Sequence, residues 1–266
     1  MKKESSFGQI LEERKENKKT IKKGKENWLY DYTSPNTIWA YEKTFQNIID
    51  QPWDEFLKEQ KERHGLTAAM DFMGGGSCFN DLQWLDKKLA VRLLDNGPNS
   101  LFQLPPQEKE RLLEVDVIAG DVLSKNTWKE ISLWVEKETQ GRGFDLILSR
   151  PIGGLLHITF NIDTWYFLIE NLWSLLDNDG GALYTQLPLP NYDEHEISPG
   201  SRAESLVSLV KKKKENIMNW VKLLETESSF GAVFSDNKEL PHIHCDYAVL
   251  RLRKTIDSPP QLPKLI

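Results

Sequence analysis

The chain changes rhythm at residue 66. Before it, Ile38, Tyr41, Phe45, Ile48 and Ile49 recur at spacings of three, four, three and one, an apolar stripe that predicts a helix. Ser34-Pro35 supplies its start and Gln51-Pro52 its end. A second helix is expected from Trp53 through Phe56 and Leu57 to Arg63, stopped by Gly65. From Leu66 onward, short apolar runs (LTAAMDF, AVRLLD, VDVIAG, FDLILS, GALYTQLP) alternate with stretches of helical period (LQWLDKKL, QEKERLL, TWKEISLWVEKE, DTWYFLIENLWSLL). Apolar strands separated by helices predict a parallel sheet covered on its faces. The alternation breaks after a long helix expected at Ser201–Leu224. SSFGAVFS and HCDYAVLRLRK are then joined by DNKELPH alone, too short for a crossover helix, so these two strands are expected to pair antiparallel.

Three segments follow from this pattern: a basic arm and helical extension at 1–65, an α/β domain at 66–255, and an irregular Pro-containing tail at 256–266. The two N-terminal helices are expected to cover one face or edge of the domain. With 266 residues the chain is long enough for one sizeable core.

Charge and cysteine content narrow the setting. The net charge is -6, which argues against a polyanion binder as a whole. Residues 1–25, however, carry nine Lys/Arg against four Glu, a basic arm read as a solvated start with a possible weak nucleic-acid contact. No apolar run approaches the roughly 18–20 residues of a membrane span, and the opening lacks the apolar stretch of a secretory signal. Cys78 and Cys245, the two cysteines, lie far apart, which fits a reducing, cytoplasmic compartment.

The chemistry gathers at strand ends. MDFMGGGS sets Gly74, Gly75 and Gly76 after the first strand, where the chain turns and a helix is expected to follow. Glycine permits close approach of backbone to a ligand. Asp95 ends the second strand about twenty residues later, where an acid can accept both hydroxyls of a ribose. Asp121 follows the third strand. Asp145 opens the fourth, whose far end is Ser149-Arg150-Pro151. In an open α/β sheet such ends face one crevice.

The series MDFMGGGS, VRLLDN, AGDVL, FDLILSRP and LLDNDGGALYTQLP resembles the ordered motifs of class I S-adenosylmethionine-dependent methyltransferases over about residues 66–253. The resemblance implies a Rossmann-like, mostly parallel seven-stranded sheet ending in an antiparallel pair. It implies S-adenosyl-L-methionine as cofactor, with Asp71 and Gly74–Gly76 at its methionine portion, Asp95 at the ribose, and Asp121 with Val122 at the adenine. Acceptor-side candidates are Ser149, Arg150 and His157, together with Tyr192 in the loop after the fifth strand. Arg150 would hold a substrate carboxylate or phosphate, or else pair with Asp121 or Asp145. The acceptor is open: protein, RNA or small molecule. No catalytic residue and no metal site is assigned. His242 and His244 alternate on one extended run without a third ligand nearby, and Lys211–Lys214 wraps around a helix as a solvated segment.

The family pattern is an acid followed by glycines at alternate positions. Counted from Asp71 those positions hold Met73, Gly75 and Ser77. Two other readings therefore stand beside methyl transfer. One is a non-catalytic S-adenosylmethionine- or nucleotide-binding protein on the same fold. The other is an NAD-dependent oxidoreductase, which fits less well because Phe79 occupies the third fingerprint glycine.

Overall fold

The structure, a computed structural model, describes residues 38–92, 114–149, 162–190, 201–236 and 247–265. Two helices come first, α1 (Ile38–Phe45) and α2 (Trp53–His64). α2 carries Asp54 and Glu55 in its first turn and Lys61, Arg63 and His64 in its last, a distribution that suits the helix dipole. It ends where the sequence predicts. Gly65 turns left-handed (φ 77°) and its N–H donates to the Lys61 carbonyl at 2.7 Å.

The α/β part runs β1 (Ala68–Phe72), β2 (Lys87–Arg92), β3 (Asp116–Ala119), α3 (Lys125–Thr139), β4 (Leu146–Ser149), α4 (Ile162–Ser174), β5 (Ala182–Pro190), α5 (Ser201–Thr226), β6 (Val233–Ser235) and β7 (Tyr247–Arg253). These strands form one seven-stranded sheet in the order β3-β2-β1-β4-β5-β7-β6. The first five are parallel. β7 is antiparallel to both β5 and β6. This is the Rossmann-like architecture expected, closing pair included.

Alternation along the strands builds two cores. Met70, Phe72, Ile147, Leu183, Leu250 and Leu252 point to one face, where α3, α4 and α5 pack through Ile131, Leu172, Trp173 and Trp220 among others. Ala69, Leu146, Leu148, Tyr184 and Val249 point to the other, where α1 and α2 bring Tyr41, Phe45, Trp53, Phe56 and Leu57. Phe45, Trp53 and Tyr184 meet ring to ring at centroid separations of 5.3–6.4 Å. Among the described residues the N-terminal helices thus provide the helical layer of that face.

Their presence explains one departure from the sequence reading. The stretch LQWLDKKL is not a helix. A 3-10 turn at Ser77–Asp81 follows the glycines, Leu82–Asp86 is irregular, and β2 begins at Lys87. The place a crossover helix would take is filled by α1 and α2, against which Cys78, Phe79, Leu82 and Leu85 pack. Polar ties fix the irregular path. Gln83 N–H donates to Asp54 at 2.8 Å, and the Asp86 carboxylate accepts from Lys61 at 2.5 Å and from Thr67 N–H at 3.0 Å. Burial works to raise the Asp86 pKa, but the Lys61 and Thr67 hydrogen bonds outweigh it and hold the group below its ordinary value.

The described part of the tail is fastened. Trp173 Nε1 donates to Pro259 O at 3.1 Å, Tyr166 Oη to Leu262 O at 3.0 Å and Trp220 Nε1 to Pro263 O at 2.7 Å, while the Leu262 side chain is buried. Not every tryptophan is core: Trp39 and Trp84 are exposed. Among the described residues no helix is long and apolar enough to cross a membrane.

Candidate functional site

From β1 the chain moves outward through β2 to β3, then returns past β1 to β4. The switch point of the sheet therefore lies between β1 and β4, and the crevice beyond the carboxyl ends of these strands is where such sheets take ligands. The loop Met73–Gly76 leaves β1 at that place. Met73 N–H extends the ladder by donating to Val91 O at 2.8 Å. Its own backbone is left-handed, with φ 71°, a conformation that glycine adopts freely and other residues at a cost. Met73 thus occupies the first glycine position of the alternate-spacing pattern with the backbone that glycine would have.

The two flanking glycines are required for different reasons. A Cβ on Gly74 would overlap the Asp71 carboxylate. Gly76 is left-handed (φ 76°), and a Cβ there would lie 2.6 Å from Val115 Cγ1 and 3.1 Å from Ala90 Cβ. Asp71 itself is fully buried on the α1 side of β1. Its Oδ2 accepts the Gly76 N–H at 2.7 Å, and its Oδ1 accepts the Tyr41 hydroxyl at 2.7 Å. The Cys78 thiol approaches Oδ2 at 3.9 Å. Burial first, and then the Asp71 charge, push the Cys78 pKa well above its usual value. The thiol stays protonated and acts as a weak donor, not as a nucleophile.

No α-helix follows this loop. The sequence reading had a helix N-terminus there to favour charged groups, and the 3-10 turn at Ser77–Asp81 replaces it. The dipole and the fan of N–H groups that an α-helix presents to a pyrophosphate are therefore missing. Phe79, at the third position of the dinucleotide fingerprint, is buried in the core of that turn.

At the end of β3 the half-buried Asp121 folds its carboxylate back on its own turn, Oδ1 accepting from Leu123 N–H at 3.0 Å. Its carbonyl accepts from Ser124 N–H at 2.7 Å and from the Thr127 hydroxyl at 2.8 Å. Ser124 caps α3. Val122 is buried, and its carbonyl accepts from Trp128 Nε1 at 2.7 Å. Trp128 stacks on Phe72 at 5.6 Å, an aromatic floor under the ends of β1 and β3.

Ser149 closes β4 level with Phe72 on one side and Thr185 on the other, and it is buried. One residue further along β5, Gln186 is 3% exposed, and its Oε1 has no partner among the described residues. A buried amide oxygen without a donor is costly. Neither Gln186 nor Tyr41 stood out in the sequence. Tyr41 carried a signal, a phenol at a core-facing helix position whose hydroxyl needs a partner, but nothing local named Asp71 as that partner.

The opposite edge of the sheet holds a different cluster. His64, Asp145 and Asp177 bring potential ligand atoms within 4.8 Å of one another. Arg142 occupies both carboxylates, donating to Asp145 Oδ1 and Oδ2 at 3.1 Å each, to Asp177 Oδ2, and to Leu66 O at 2.6 Å. Ala68 N–H adds a bond to Asp145 Oδ2 at 2.8 Å. Burial raises the Asp145 pKa, with the Ala68 bond and the Arg142 charge opposing it. This is a structural ion pair at the amino ends of β4 and β5. Asp145 has Arg142 as its partner, and it lies away from the crevice.

Asp95, Arg150, His157 and Tyr192, and likewise His242 and His244, lie outside the described residues. The loop glycines with Asp71, the Asp121-Val122 turn and Ser149 are the candidates that the fold brings to one edge.

No protein-family model matches the chain, and no curated protein matches it. Among solved structures it is similar to an O-methyltransferase from Bacillus cereus in complex with SAH, at 14% identity over 81% of this chain and 90% of that one, with a TM-score of 0.39. It is also similar to an rRNA methylase from Streptococcus thermophilus, at 17% identity over 78% of this chain and 98% of that one, with a TM-score of 0.41.

Proposed function

We propose that this protein is an S-adenosylmethionine-dependent methyltransferase whose cofactor lies at the carboxyl edge of the sheet, over the Met73–Gly76 loop. The observation that carries the reading is a sharp loop, left-handed at Met73 and Gly76, at the switch point of a sheet with the order β3-β2-β1-β4-β5-β7-β6. The residues present fit the group through shape. Asp71 gives both oxygens to protein donors, so its part is to hold the loop closed on itself while the backbone faces the ligand. Asp95 takes the ribose hydroxyls, and Asp121 with Val122 borders the adenine. The lack of an α-helix after the loop weighs against the nicotinamide reading, which needs one for its pyrophosphate.

The bound cofactor supplies an electrophilic methyl group on a sulfonium. The chain's share is to align acceptor and methyl carbon and to exclude water. Ser149, Arg150, His157 and Tyr192 are the residues assigned to the acceptor, whose class is a protein, RNA or small molecule, in a cytoplasmic setting. The basic arm offers a weak nucleic-acid contact. The non-catalytic reading shares this site and parts from ours only at turnover.

Calorimetry on the full chain with S-adenosylmethionine, its demethylated product and NAD tests the proposal. Saturable binding of the first two and none of NAD is expected. Asp95→Ala removes charge-assisted hydrogen bonds worth roughly 1.5–3 kcal/mol each and weakens the cofactor about tenfold or more. Binding of NAD alone would reject the reading, and unchanged affinity in the variant would reject the role of Asp95.

A further inference from the structure

We infer that Tyr41 is a positioning residue of the Met73–Gly76 loop, so that helix α1 of the N-terminal extension is a working part of the ligand site. The inference rests on the reading of that loop as the cofactor site. Its own support is the geometry around Asp71.

A carboxylate buried this completely is tolerated only where its oxygens meet donors. Asp71 meets donors on both oxygens, two of them at 2.7 Å, a length typical of charge-assisted bonds. One donor is local, the Gly76 N–H inside the loop. The other is the Tyr41 hydroxyl, thirty residues earlier in the chain and on a different element. The two bonds together orient the carboxylate flat against Gly74, where a Cβ would overlap it. That orientation is what lets Oδ2 reach Gly76, a left-handed residue pressed against Val115. α1 touches the far side of the same segment as well, since Ile38 N–H donates to Asp81 Oδ2 at 3.4 Å. The helix therefore holds the loop at its start, through Asp71, and beyond its end, through Asp81.

Loss of the Tyr41 hydroxyl leaves Oδ1 without that donor in a site closed to water. The carboxylate then turns toward other donors, and the Gly76 bond loosens with it. The ring is not needed for this effect. Tyr41→Phe keeps the ring that packs against the sheet and removes the hydroxyl that bonds Asp71.

The test combines calorimetry with S-adenosylhomocysteine and the amide proton resonance of Gly76, which lies downfield while its acceptor is a carboxylate. Tyr41→Phe is expected to weaken S-adenosylhomocysteine about tenfold and to move the Gly76 resonance upfield. Asp71→Asn is expected to do the same, and the double variant to bind no more weakly than the weaker single one, because both remove one linkage. Ile48→Val is the control. Ile48 is buried in the same core, in the turn after α1, so this variant lowers the melting temperature and leaves both readouts at wild type. Wild-type affinity or a wild-type Gly76 resonance in Tyr41→Phe overturns the inference, as does an equal loss of affinity in Ile48→Val. If the wild-type protein itself does not bind S-adenosylhomocysteine, the reading of the site fails first and the role of Tyr41 with it.

Discussion

The two edges of the sheet carry their charges differently. At the amino edge, Arg142 bridges Asp145 and Asp177, and Lys254 donates to Asn178 at 2.9 Å while lying over the Trp173 ring. Its charges meet one another, although the buried Gln60 amide oxygen beside Gly180 has no partner among the described residues and Gln140 is left-handed (φ 58°). At the carboxyl edge the backbone turns left-handed at Met73 and Gly76, a carboxylate is buried to brace the turn, and the Gln186 amide oxygen lacks a partner among the described residues. The first arrangement pairs its buried charges with one another. The second holds backbone and side chains in costly states, which persist where surrounding structure enforces them and which concentrate at ligand sites. The contrast teaches that burial and charge alone do not mark function. The Arg142–Asp145–Asp177 cluster is structural, and the candidate site is the edge with fewer charges paired.

Substitutions can break this contrast, the largest expected loss of melting temperature first. Arg142→Met leaves two buried carboxylates without their cation, a loss of about 3–5 kcal/mol, or roughly 10 °C at this chain length. The protein that remains folded should bind S-adenosylhomocysteine as the wild type does. Truncation after Ser258 removes the acceptors of Trp173, Tyr166 and Trp220 and the buried Leu262. At about 1 kcal/mol for each bond, with water replacing part of it, about 3 kcal/mol is expected, again without change in affinity. Gly76→Ala inverts the pattern. Its left-handed φ and the approach to Val115 cost about 1–2 kcal/mol, but affinity falls tenfold or more. Equal affinity in Gly76→Ala and wild type would reduce the loop to a turn.

The smallest effect is one of pH. Glu138 on α3 is held at about 2 by Lys137 and, next, by Lys87. A carboxylate depressed in the folded state contributes stability above its ordinary pKa and loses it as pH falls toward the depressed value. Glu138→Gln should therefore flatten the acid limb of the stability curve between the ordinary carboxylate range and about pH 2, measured by urea unfolding. Asp145 works in the other direction. Its raised pKa means that its ionisation opposes folding, so its contribution is greatest below the ordinary value and declines as pH rises through the raised one.

Much of this fold was legible in the chain because its signals are local. The apolar runs at β1, β3 and β4, the stop at Gly65 and the short link before β7 each depend on a few adjacent residues. LQWLDKKL misled for a physical reason. Leu82, Leu85 and Leu89 have helical spacing, yet the first two pack against α1 and α2 from an irregular turn held by Asp54, Lys61 and Thr67. The glycine triplet was legible as a turn, but not the division of labour within it. Met73 adopts the backbone of a glycine, Gly74 makes room for Asp71, and Gly76 bonds it. The Tyr41–Asp71 pair was out of reach, because each residue is locally unremarkable and the bond exists only once α1 lies on the sheet.

Backbone amide mapping by NMR with S-adenosylhomocysteine tests the central claim most directly, since it reports both edges at once. The account predicts ligand-dependent shifts at residues 73–76 and 119–123, with Arg142, Asp177 and Lys254 unmoved. Shifts confined to the amino edge, or none at saturating ligand, would contradict it.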